Sequence, residues 1–504
     1  MSDKLKKQER QMTLWESDGC IVPLKPMEEP HAGDSTGGSK PSNVGAGKAA
    51  RPTRERRRTP SALSGGQTVT NRLERITERA KADAAARFSN VFTLLTHELL
   101  WLAFRKLKRD KAPGVDGVTV EQYEANLQDN LRDLEQRLHR QTYRPQPSLR
   151  RDIPKGDGRT RPLGIACVED KVVQRAIVMV LERIYEVDFC DFSYGFRPER
   201  GCHQALSVLG QIIATRRVNW ISDADIKGFF NHVSHSQLVE LLGRRIGDPR
   251  MLRLIRYLLE AGVVIENQRH ETDEGVAQGS VLSPLLANVY LHYVLDQWFE
   301  RKVKPRLQGE SYLIRYADDF ICAFEKESDA RAFQAVLRKR LGRFSLELAE
   351  EKTKLLRFGR FASRDSQRLG EGAPGTFDFL GFTHYCGLSR AGKFKLKRKT
   401  ATKKFRAKVK GLKDWFRESL TNPITEVWPT LVRKLQGHFN YYNVNDNWRW
   451  LVKYREAARR LGLRWMRRRS QTASLSWADY HAYLDRHPLP QPGKIVDLIA
   501  MARG

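Results

Sequence analysis

The stretch SYLIRYADDFICAFE, residues 311–325, places two adjacent carboxylates, Asp318 and Asp319, inside an apolar run. Adjacent like charges repel, and burying either one is unfavourable unless a partner compensates for it. The flanking runs YLIRY and FICAF are rich in strand-forming residues, so the sequence predicts a hairpin with both aspartates at its tip. The pair can be an ordinary turn, since Asp is common there, or it can bind a divalent cation that prefers oxygen ligands.

A metal site for phosphoryl chemistry needs at least one more carboxylate, because two ions about 4 Å apart have to be bridged. The stretch ISDADIKGFFNH, residues 221–232, offers one where a strand-like apolar run ends. In an extended strand Asp223 and Asp225 would point to the same side, so their spacing alone does not choose between them.

The bulk composition indicates a polyanionic partner. The 504 residues, enough for roughly two to four domains, carry a net charge of +30. Such an excess is typical of proteins that bind nucleic acid or an anionic membrane surface. The chain has no apolar signal core, no run of about 18 apolar residues that would span a membrane, and no C-x-x-C pair among its six cysteines. We therefore expect a cytoplasmic protein without a membrane partner or a zinc-bound nuclease module.

The order of patterns along the chain predicts an α+β fold. Residues 1–71 are rich in Gly, Ser, Pro, Lys and Arg and lack an apolar period, which is typical of a disordered basic arm. Helical and strand-like runs then alternate irregularly, without an internal repeat. We expect one helix in EQYEANLQDNLRDLEQRLHR, a hairpin in SLRRDIPKGDGRTRPLGIA and a long buried helix in QGSVLSPLLANVYLHYVLDQWFERKV.

The positive charge is concentrated near the C-terminus, where residues 390–469 hold 24 lysines and arginines against five acidic residues. The helix predicted in KTATKKFRAKVKGLKDWFRESL has an apolar stripe at helical spacing. Its basic residues lie away from that stripe: Lys403, Arg406, Lys410, Lys413 and Arg417. This pattern predicts that one face packs and the other binds a polyanion; the alternative is an ordinary solvated face.

The following segment, residues 431–471, interleaves aromatic and basic side chains. Its basic residues include Arg433, Lys434, Arg467 and Arg468. Its aromatic residues, Tyr441, Tyr442, Trp448 and Trp450, can belong to a core or stack on bases exposed in a structured RNA. The pattern by itself leaves both alternatives open.

Several motifs together resemble a known family. DIKGFF, QGSVLSPLLANVYL, RYADDF, ELAEEKTKLL and FDFLGF occur in this order and resemble the palm motifs of reverse transcriptases. KAPGVDGVT, RPLGI and FSYGFRPERGCHQAL are similar to finger motifs of the bacterial group II intron branch, and GHFNYYNV resembles the maturase (X) domain. The resemblance extends from about residue 91 to about residue 470.

This resemblance implies a right-hand polymerase fold with fingers, palm, a helical thumb and a helical maturase domain. N-terminal helices and fingers would occupy residues 72–215, and the palm 216–390. The helical thumb would span 391–425, and the maturase domain with the C-terminal tail 426–504.

The resemblance also implies a set of active-site residues. It selects Asp225 rather than Asp223, so that Asp225, Asp318 and Asp319, with Ile226 beside them, would hold two Mg²⁺ ions. Paired carboxylates are tolerable in such a site because the cations offset their repulsion.

The implied nucleotide site uses residues from the fingers and the palm. Phe230 would clash with a 2′-hydroxyl and select deoxynucleoside triphosphates, although Phe230 can also be a core residue, as can Phe229. The remaining nucleotide contacts would be Lys155 and Arg161 on the triphosphate, Gln278 and Gly279 lining the pocket, and Lys352 protonating pyrophosphate.

The implied function is that of an RNA-directed DNA polymerase that binds intron RNA, assists its splicing and retrohoming, and copies an RNA template from a DNA primer at a target site. Two alternatives are a stand-alone reverse transcriptase used in repair or defence, and an RNA-binding splicing cofactor without polymerase activity. The three carboxylates and Phe230 argue against the cofactor. Asn231 and Ala277 stand where the family usually has Asp and Pro. No H-N-H-like endonuclease cluster is present, and the oligomeric state is not predicted.

Overall fold

The computed structural model describes residues 62–154, 160–266, 268–271, 274–469 and 475–502. Residues 1–61, most of the predicted disordered arm, lie outside these ranges. The remainder of that segment is helical, because the first helix begins at Ala62. The helices are α1 (Ala62–Ala82), α2 (His97–Arg105), α3 (Val120–Ala125), α4 (Leu127–His139), α5 (Val168–Asp188), α6 (Cys202–Thr215), α7 (His235–Leu242), α8 (Pro249–Glu260), α9 (Ser283–Leu291), α10 (Glu327–Gly342), α11 (Ala362–Arg368), α12 (Thr402–Glu418), α13 (Ile424–Tyr442), α14 (Trp448–Arg469) and α15 (Trp477–Arg486).

The strands form three sheets. They are β1 (Ser148–Pro154), β2 (Thr160–Ile165), β3 (Trp220–Asp225), β4 (Val263–Ile265), β5 (Gln268–His270), β6 (Ser311–Tyr316), β7 (Asp319–Phe324), β8 (Lys354–Arg357), β9 (Phe377–Phe379), β10 (Phe382–Leu388) and β11 (Phe394–Thr400). One sheet has the order β2-β1-β4-β5 and contains the hairpin expected in the fingers, so it is called the finger sheet; a second has the order β6-β7-β3-β8, lies in the segment expected to be the palm and is called the palm sheet. A third, smaller sheet has the order β11-β10-β9. The mixture of helices and sheets confirms the α+β class.

The palm sheet is antiparallel and separates two hydrophobic cores. Side chains alternate between the two faces of a strand. Along β7, Phe320 and Cys322 therefore join a core with the finger helices, while Ile321 and Ala323 join a core with the C-terminal helices. Because both faces are covered, the inner strand β7 is apolar throughout after Asp319. Charged side chains are accommodated best at the strand ends, and the two aspartates lie there.

The fingers confirm the predicted hairpin and correct one helix. β1 and β2 pair in antiparallel register, with Ile153 opposite Arg161, and the tip of the hairpin lies outside the described ranges. The single helix expected in residues 121–140 is two helices, because the backbone of Asn126 leaves helical geometry at φ −120° and ψ 35°. α8 begins with an Asp-Pro pair, in which the Asp248 carboxylate caps the helix by accepting a hydrogen bond from the amide of Arg250.

The predicted buried helix begins later than expected and is not a regular α-helix throughout. α9 starts at Ser283, and wider π-helical turns continue it over His292–Asp296 and Phe299–Val303. Nearly all of its residues in the first nine positions are buried, as the apolar sequence predicts.

The segment expected to be a helical thumb, 391–425, begins instead with a strand. β11 pairs with β10 along its full length, and the helix starts only at Thr402. The sequence FKLKRKT alternates apolar or buried positions with lysines, and this period of two is a strand pattern. Leu396, Arg398 and Thr400 are buried on one side of β11.

The C-terminal segment folds back over the helical region. The indole Nε1 of Trp428 donates a 3.0 Å hydrogen bond to the carbonyl of His487, and Val496 forms a parallel β-bridge with Val444. The hydroxyl of Ser207, on α6, donates a buried 2.6 Å hydrogen bond to the carbonyl of Leu498. The segment therefore connects the C-terminal helices to the fingers. Within the described ranges, every helix is too short or too polar to cross a lipid bilayer.

Candidate active site

The two adjacent aspartates lie at the tip of a tight hairpin. Tyr316 pairs with Asp319 at the end of the β6–β7 ladder, so Ala317 and Asp318 form a two-residue turn. Ala317 has a left-handed backbone with φ 58°, which L-residues other than Gly, Asn and Asp rarely adopt. The predicted hairpin is confirmed, and its turn is strained.

The third carboxylate comes from the adjacent strand. In the antiparallel β3–β7 ladder, Asp225 lies directly opposite Asp319. Asp223 is two residues farther from the turn and pairs with Ile321. Asp225 is therefore the aspartate of β3 that is closest to the hairpin tip along the ladder, as the resemblance implies.

Ile226, the other implied metal contact, follows Asp225 immediately. It forms a β-bridge with Leu348 in which the hydrogen bonds are made by the neighbouring residues, from Ala349 N to Asp225 O and from Lys227 N to Glu347 O. The carbonyl of Ile226 takes no part in that pairing. Its buried side chain belongs to the finger-side core.

The carboxylates concentrate negative charge at the end of the sheet. Burial, together with repulsion from Asp223, Asp318 and Asp225, raises the pKa of Asp319 to about 7, while the backbone amide of Leu380 opposes the rise. Burial also raises the pKa of Asp223 to about 7, against the attraction of Lys354. A divalent cation would remove this penalty, so the donor set fits a hard cation such as Mg²⁺.

In this structure an ammonium group opposes the negative charge of Asp225. The Nζ of Lys352 contacts the carboxylate of Asp225. No three acidic, histidine or cysteine side chains in the described part of the chain converge into a ready-made metal cage. Mg²⁺ typically takes only one or two carboxylates and completes its shell with water and substrate phosphates. An open cluster of this kind therefore still fits the ion.

A buried arginine supports the hairpin turn. Arg315 has no solvent exposure, and its Nη1 donates a 3.0 Å hydrogen bond to the carbonyl of Ala317. Its Nε donates a 2.7 Å bond to Asp296 on the continuation of α9, and Nη1 also donates to Asn288 at 3.0 Å. Sequence reasoning missed this role. The signal was a charged residue within the apolar run LIRY, since a buried charge must be paired.

A glycine also packs against the turn. A Cβ atom on Gly195 would lie 2.3 Å from the amide nitrogen of Ala317, which is far inside contact distance. The Nδ2 of Asn288 donates a 2.7 Å hydrogen bond to the carbonyl of Gly195. The loop before α6 is therefore fixed on the hairpin, and only glycine fits at this position.

A cavity of about 270 Å³ lies between the palm and the fingers. Phe230, Asn231, Ala277 and Gln278 are among its lining residues. Phe230 is partly buried and packs its ring 5.3 Å from that of Phe229, which is fully buried. Phe229 is thus a core residue, and Phe230 has one side in the core and another in the cavity.

The loop that contains Gln278 is held against the fingers. The amide of Gly164, on β2, donates a 2.7 Å hydrogen bond to the carbonyl of Gln278. Gly279 has φ 107°, and a Cβ atom there would lie 2.6 Å from Leu163. Lys155 lies outside the described residues, and of Arg161 only the backbone position on β2 is described. Their predicted contacts with triphosphate stay predictions.

Comparison with known proteins identifies the family. Residues 153–384 match the family described as reverse transcriptase (RNA-dependent DNA polymerase). The chain is 33% identical over 313 residues to protein YkfC of Escherichia coli (strain K12), a match that covers 55% of this chain and 81% of YkfC. It is 32% identical over 302 residues to the group II intron-encoded protein LtrA of Lactococcus lactis subsp. cremoris, a match that covers 58% of this chain and 50% of LtrA.

The chain belongs to the group II intron reverse transcriptase/maturase family. It matches about half the length of the intron-encoded protein from Lactococcus. It is also 34% identical over 237 residues to an uncharacterized 91 kDa protein in the cob intron of Schizosaccharomyces pombe, covering 46% of this chain and 29% of that protein.

In this member of the group II intron reverse transcriptase/maturase family, the predicted basic face of α12 is exposed. Lys403, Arg406, Lys410, Lys413 and Arg417 are exposed, while Leu412 and Phe416 of the apolar stripe are buried. Lys403, Arg406 and Lys410 also line a groove of about 650 Å³ beside the small sheet. The two faces of α12 are divided as the sequence predicts.

Of the two alternatives for Tyr441 and Tyr442, a core position or stacking on RNA, the structure favours the core. Tyr442 is buried in the C-terminal core, and Tyr441 is half-buried with its hydroxyl donating a 2.8 Å hydrogen bond to the carbonyl of Leu380. Both rings pack against Phe382. The core alternative applies to both, because their faces are already covered by protein. Trp448 is 46% exposed.

The other predicted RNA contacts are at the surface. Arg433, Lys434, Arg467 and Arg468 are exposed. The ammonium group of Lys434 lies 5.0 Å above the ring of Trp415, and the Nε of Arg467 donates a hydrogen bond to the carbonyl of Leu475. These contacts leave the charged groups at the surface, where a phosphate backbone can reach them.

Proposed function

We propose that the protein is an RNA-directed DNA polymerase that extends a DNA primer on an RNA template, and that it binds intron RNA to assist splicing and mobility. The observation that carries the polymerase proposal is the placement of Asp225 directly opposite Asp319, with Asp318 in the adjoining turn. These carboxylates lie at the end of a sheet whose remaining surface is covered.

The proposed site binds two divalent cations through Asp225, Asp318 and Asp319, with the carbonyl of Ile226 as a further oxygen donor. Bound Mg²⁺ would supply charge neutralisation for the triphosphate and activation of the primer 3′-hydroxyl. The aspartates themselves position the cations, and most of the rate enhancement then comes from positioning and electrostatic stabilisation. Lys352, next to Asp225, would move to the departing pyrophosphate and protonate it.

The proposed nucleotide pocket is the 270 Å³ cavity beside the carboxylates. The exposed side of the Phe230 ring would exclude a 2′-hydroxyl, which selects deoxynucleoside triphosphates. Gln278 and Gly279 would line the opposite wall. Lys155 and Arg161, from the finger hairpin, would pair with the triphosphate because ammonium and guanidinium groups form strong charge-assisted bonds with phosphate oxygens.

The proposed RNA surface is the basic face of α12 together with Arg433, Lys434, Arg467 and Arg468. Its exposed charges are spread over three helices and have few acidic neighbours, which favours binding through phosphates and shape rather than base edges.

The polymerase proposal is tested by primer extension on an RNA template with deoxynucleoside triphosphates and Mg²⁺. Asp225→Asn keeps the size of the side chain and should lower the rate at least about a hundredfold, the usual effect of removing one electrostatic stabiliser. Asp223→Asn, on the same strand, is the matched variant and should retain most of the rate. Equal losses of rate in the two variants would contradict the choice of Asp225 over Asp223 as the metal ligand. Absence of primer extension by the unmodified protein would reject the polymerase proposal.

The maturase proposal is tested on the RNA that copurifies from the natural host after a high-salt wash, because weak counterion-driven binding is lost there. One dominant structured RNA that contains this protein's coding frame, spliced faster on addition of the protein, would support it. A mixture of unrelated RNAs, with no effect on splicing, would favour a stand-alone reverse transcriptase.

A further inference from the structure

An exposed aromatic side chain lies beside the hairpin that carries Asp318 and Asp319. Phe196 is 56% exposed and has a left-handed backbone with φ 58°. A large aromatic residue with positive φ is a genuine outlier, because its Cβ crowds the backbone. Strained residues of this kind persist only where their surroundings impose the conformation, and they cluster at functional sites.

The residues on both sides of Phe196 are fixed. The carbonyl of Gly195 accepts the hydrogen bond from Asn288, and its Cα packs on the turn of the hairpin. The Arg197 guanidinium is almost fully buried and donates 2.8 Å hydrogen bonds to the carbonyls of Cys190 and Ser193. The exposure of Phe196 therefore results from a rigid loop, with one anchor on each side of the aromatic residue.

The position of Phe196 limits what it can contact. Gly195 packs against Ala317 in the turn that carries Asp318. Because adjacent Cα atoms are about 3.8 Å apart, the Cα of Phe196 lies only one residue farther along the chain from this contact. If the 3′ end of a primer lies at Asp318, the primer–template duplex lies next to this turn. Because the duplex is much wider than the turn, it also covers the surface around Phe196. An exposed ring at that place would be within reach of the nucleic acid.

We infer that Phe196 packs its ring against a nucleotide of the primer–template duplex beside the catalytic hairpin, and is thus a substrate-binding residue. Every nucleotide offers an apolar base face, so an aromatic ring binds it without regard to sequence. The nearness of Phe196 to the turn that carries Asp318 favours the primer–template duplex over a protein as the partner of this surface. The inference rests on the proposed polymerase function.

The first test measures binding of a fluorescent DNA primer annealed to an RNA template, without nucleotides. Phe196→Gly should weaken binding about tenfold, the usual effect of removing one stacking side chain. Phe196→Tyr keeps the ring and should bind within about twofold of the unmodified protein. Glycine relieves the left-handed backbone, so Phe196→Gly should not lower the thermal stability.

Gln141 provides the matched control. It is exposed, uncharged and held at φ 60° after α4. Gln141→Gly removes the same kind of backbone strain without touching the hairpin, and it should leave duplex binding unchanged. A similar loss of binding in both glycine variants would attribute the effect to the backbone and overturn the inference.

The second test places photoreactive benzoylphenylalanine at position 196 and irradiates the complex with either strand labelled. A crosslink close to the primer terminus, on either strand, would support the inference. Binding equal to that of the unmodified protein in Phe196→Gly, without any crosslink, would overturn it while leaving the polymerase proposal intact. If the unmodified protein neither binds nor extends the duplex, the polymerase proposal itself fails.

Discussion

The end of the palm sheet and the basic face of α12 are both highly charged, yet they are built in different ways. At the sheet end, a few carboxylates are fixed by register, by the buried Arg315 and by close packing of Gly195. On α12, five basic side chains extend into solvent and share one sign of charge. Binding at the sheet end depends on the exact position of each carboxylate, while binding at the basic face of α12 depends on the total charge of its side chains.

This difference teaches where single substitutions matter. Interactions in a buried, low-dielectric region are strong, and a buried group that loses its partner is costly. Exposed charges are screened by salt and by water, and each contributes little. The palm should therefore respond steeply to one change, and the basic helices should respond gradually to several.

The largest effect is expected from removing the buried guanidinium. Arg315→Met leaves the Asp296 carboxylate buried without its partner, and it should lower the free energy of unfolding by about 3–5 kcal/mol. The matched change in an exposed pair, Arg331→Met opposite Glu327, should cost less than about 0.5 kcal/mol. Urea denaturation measures both, and equal costs would remove the distinction between the two kinds of surface.

A second comparison uses the same substitution, glycine to alanine, beside the hairpin and in the C-terminal helix α13. Gly195→Ala introduces a Cβ against the amide of Ala317, and overpacking of this kind should cost about 1–3 kcal/mol and distort the hairpin. Gly437 lies within α13 with open space around it, so Gly437→Ala should stabilise the protein by about 1 kcal/mol. Thermal denaturation and primer extension would test the pair. Full activity in Gly195→Ala would contradict the packing argument.

The third prediction concerns pH. Burial and neighbouring carboxylates raise the pKa of Asp319 to about 7, above its usual value of 3.8. The folded protein then holds this proton more tightly than the unfolded chain does, so the free energy of unfolding of the metal-free protein should fall as the pH rises from about 4 to about 7. We expect a fall of about 1–2 kcal/mol, because solvent screens part of the effect.

The variant Asp319→Asn cannot ionise, and its free energy of unfolding should show a smaller decline over the same range. Addition of Mg²⁺ at pH 8 should restore stability to the unmodified protein but less to the variant. An identical pH dependence of the two proteins would show that Asp319 does not carry the proton.

The smallest single effects are expected on α12. Lys410→Gln should weaken RNA binding only a few-fold at about 0.15 M salt, because it removes one phosphate contact among many. Substitution of all five basic residues, Lys403, Arg406, Lys410, Lys413 and Arg417, should reduce the magnitude of the slope of log affinity against log salt by about 3.5–4.5, since each contact contributes about 0.7–0.9. A salt series with labelled RNA measures this slope. A large loss of RNA affinity from Lys410→Gln alone would indicate that Lys410 makes a specific contact and does not act only through the total charge of the helix.

Local patterns predicted the parts of the molecule that depend on neighbouring residues. The hairpin around Asp318 and Asp319 and the two faces of α12 follow from residue periods of 2 and 3.6. The strand Phe394–Thr400 was missed, although its alternation was visible, because the family resemblance assigned residues 391–425 to a helical thumb. The choice of Asp225 over Asp223 came from the family resemblance and not from spacing.

Contacts between distant segments were not predictable from the sequence. Arg315 pairs with Asp296 on α9 and supports Ala317, and no local pattern connects these positions. Tyr441 and Tyr442 were equally compatible with a core or an RNA surface, because an aromatic ring serves both. Only the position of β10 beside them decides that they are buried.

The hydrogen bonds of Leu380 join the two regions. Its backbone amide lowers the pKa of the Asp319 carboxyl group, and its carbonyl accepts a hydrogen bond from the hydroxyl of Tyr441 on α13. The palm sheet and the C-terminal helices are therefore not interchangeable modules. A chimera that combined this sheet with the helices of a relative would have to keep Leu380 and Tyr441 as a matched pair, and a boundary drawn between them would alter the environment of Asp319, a proposed metal ligand.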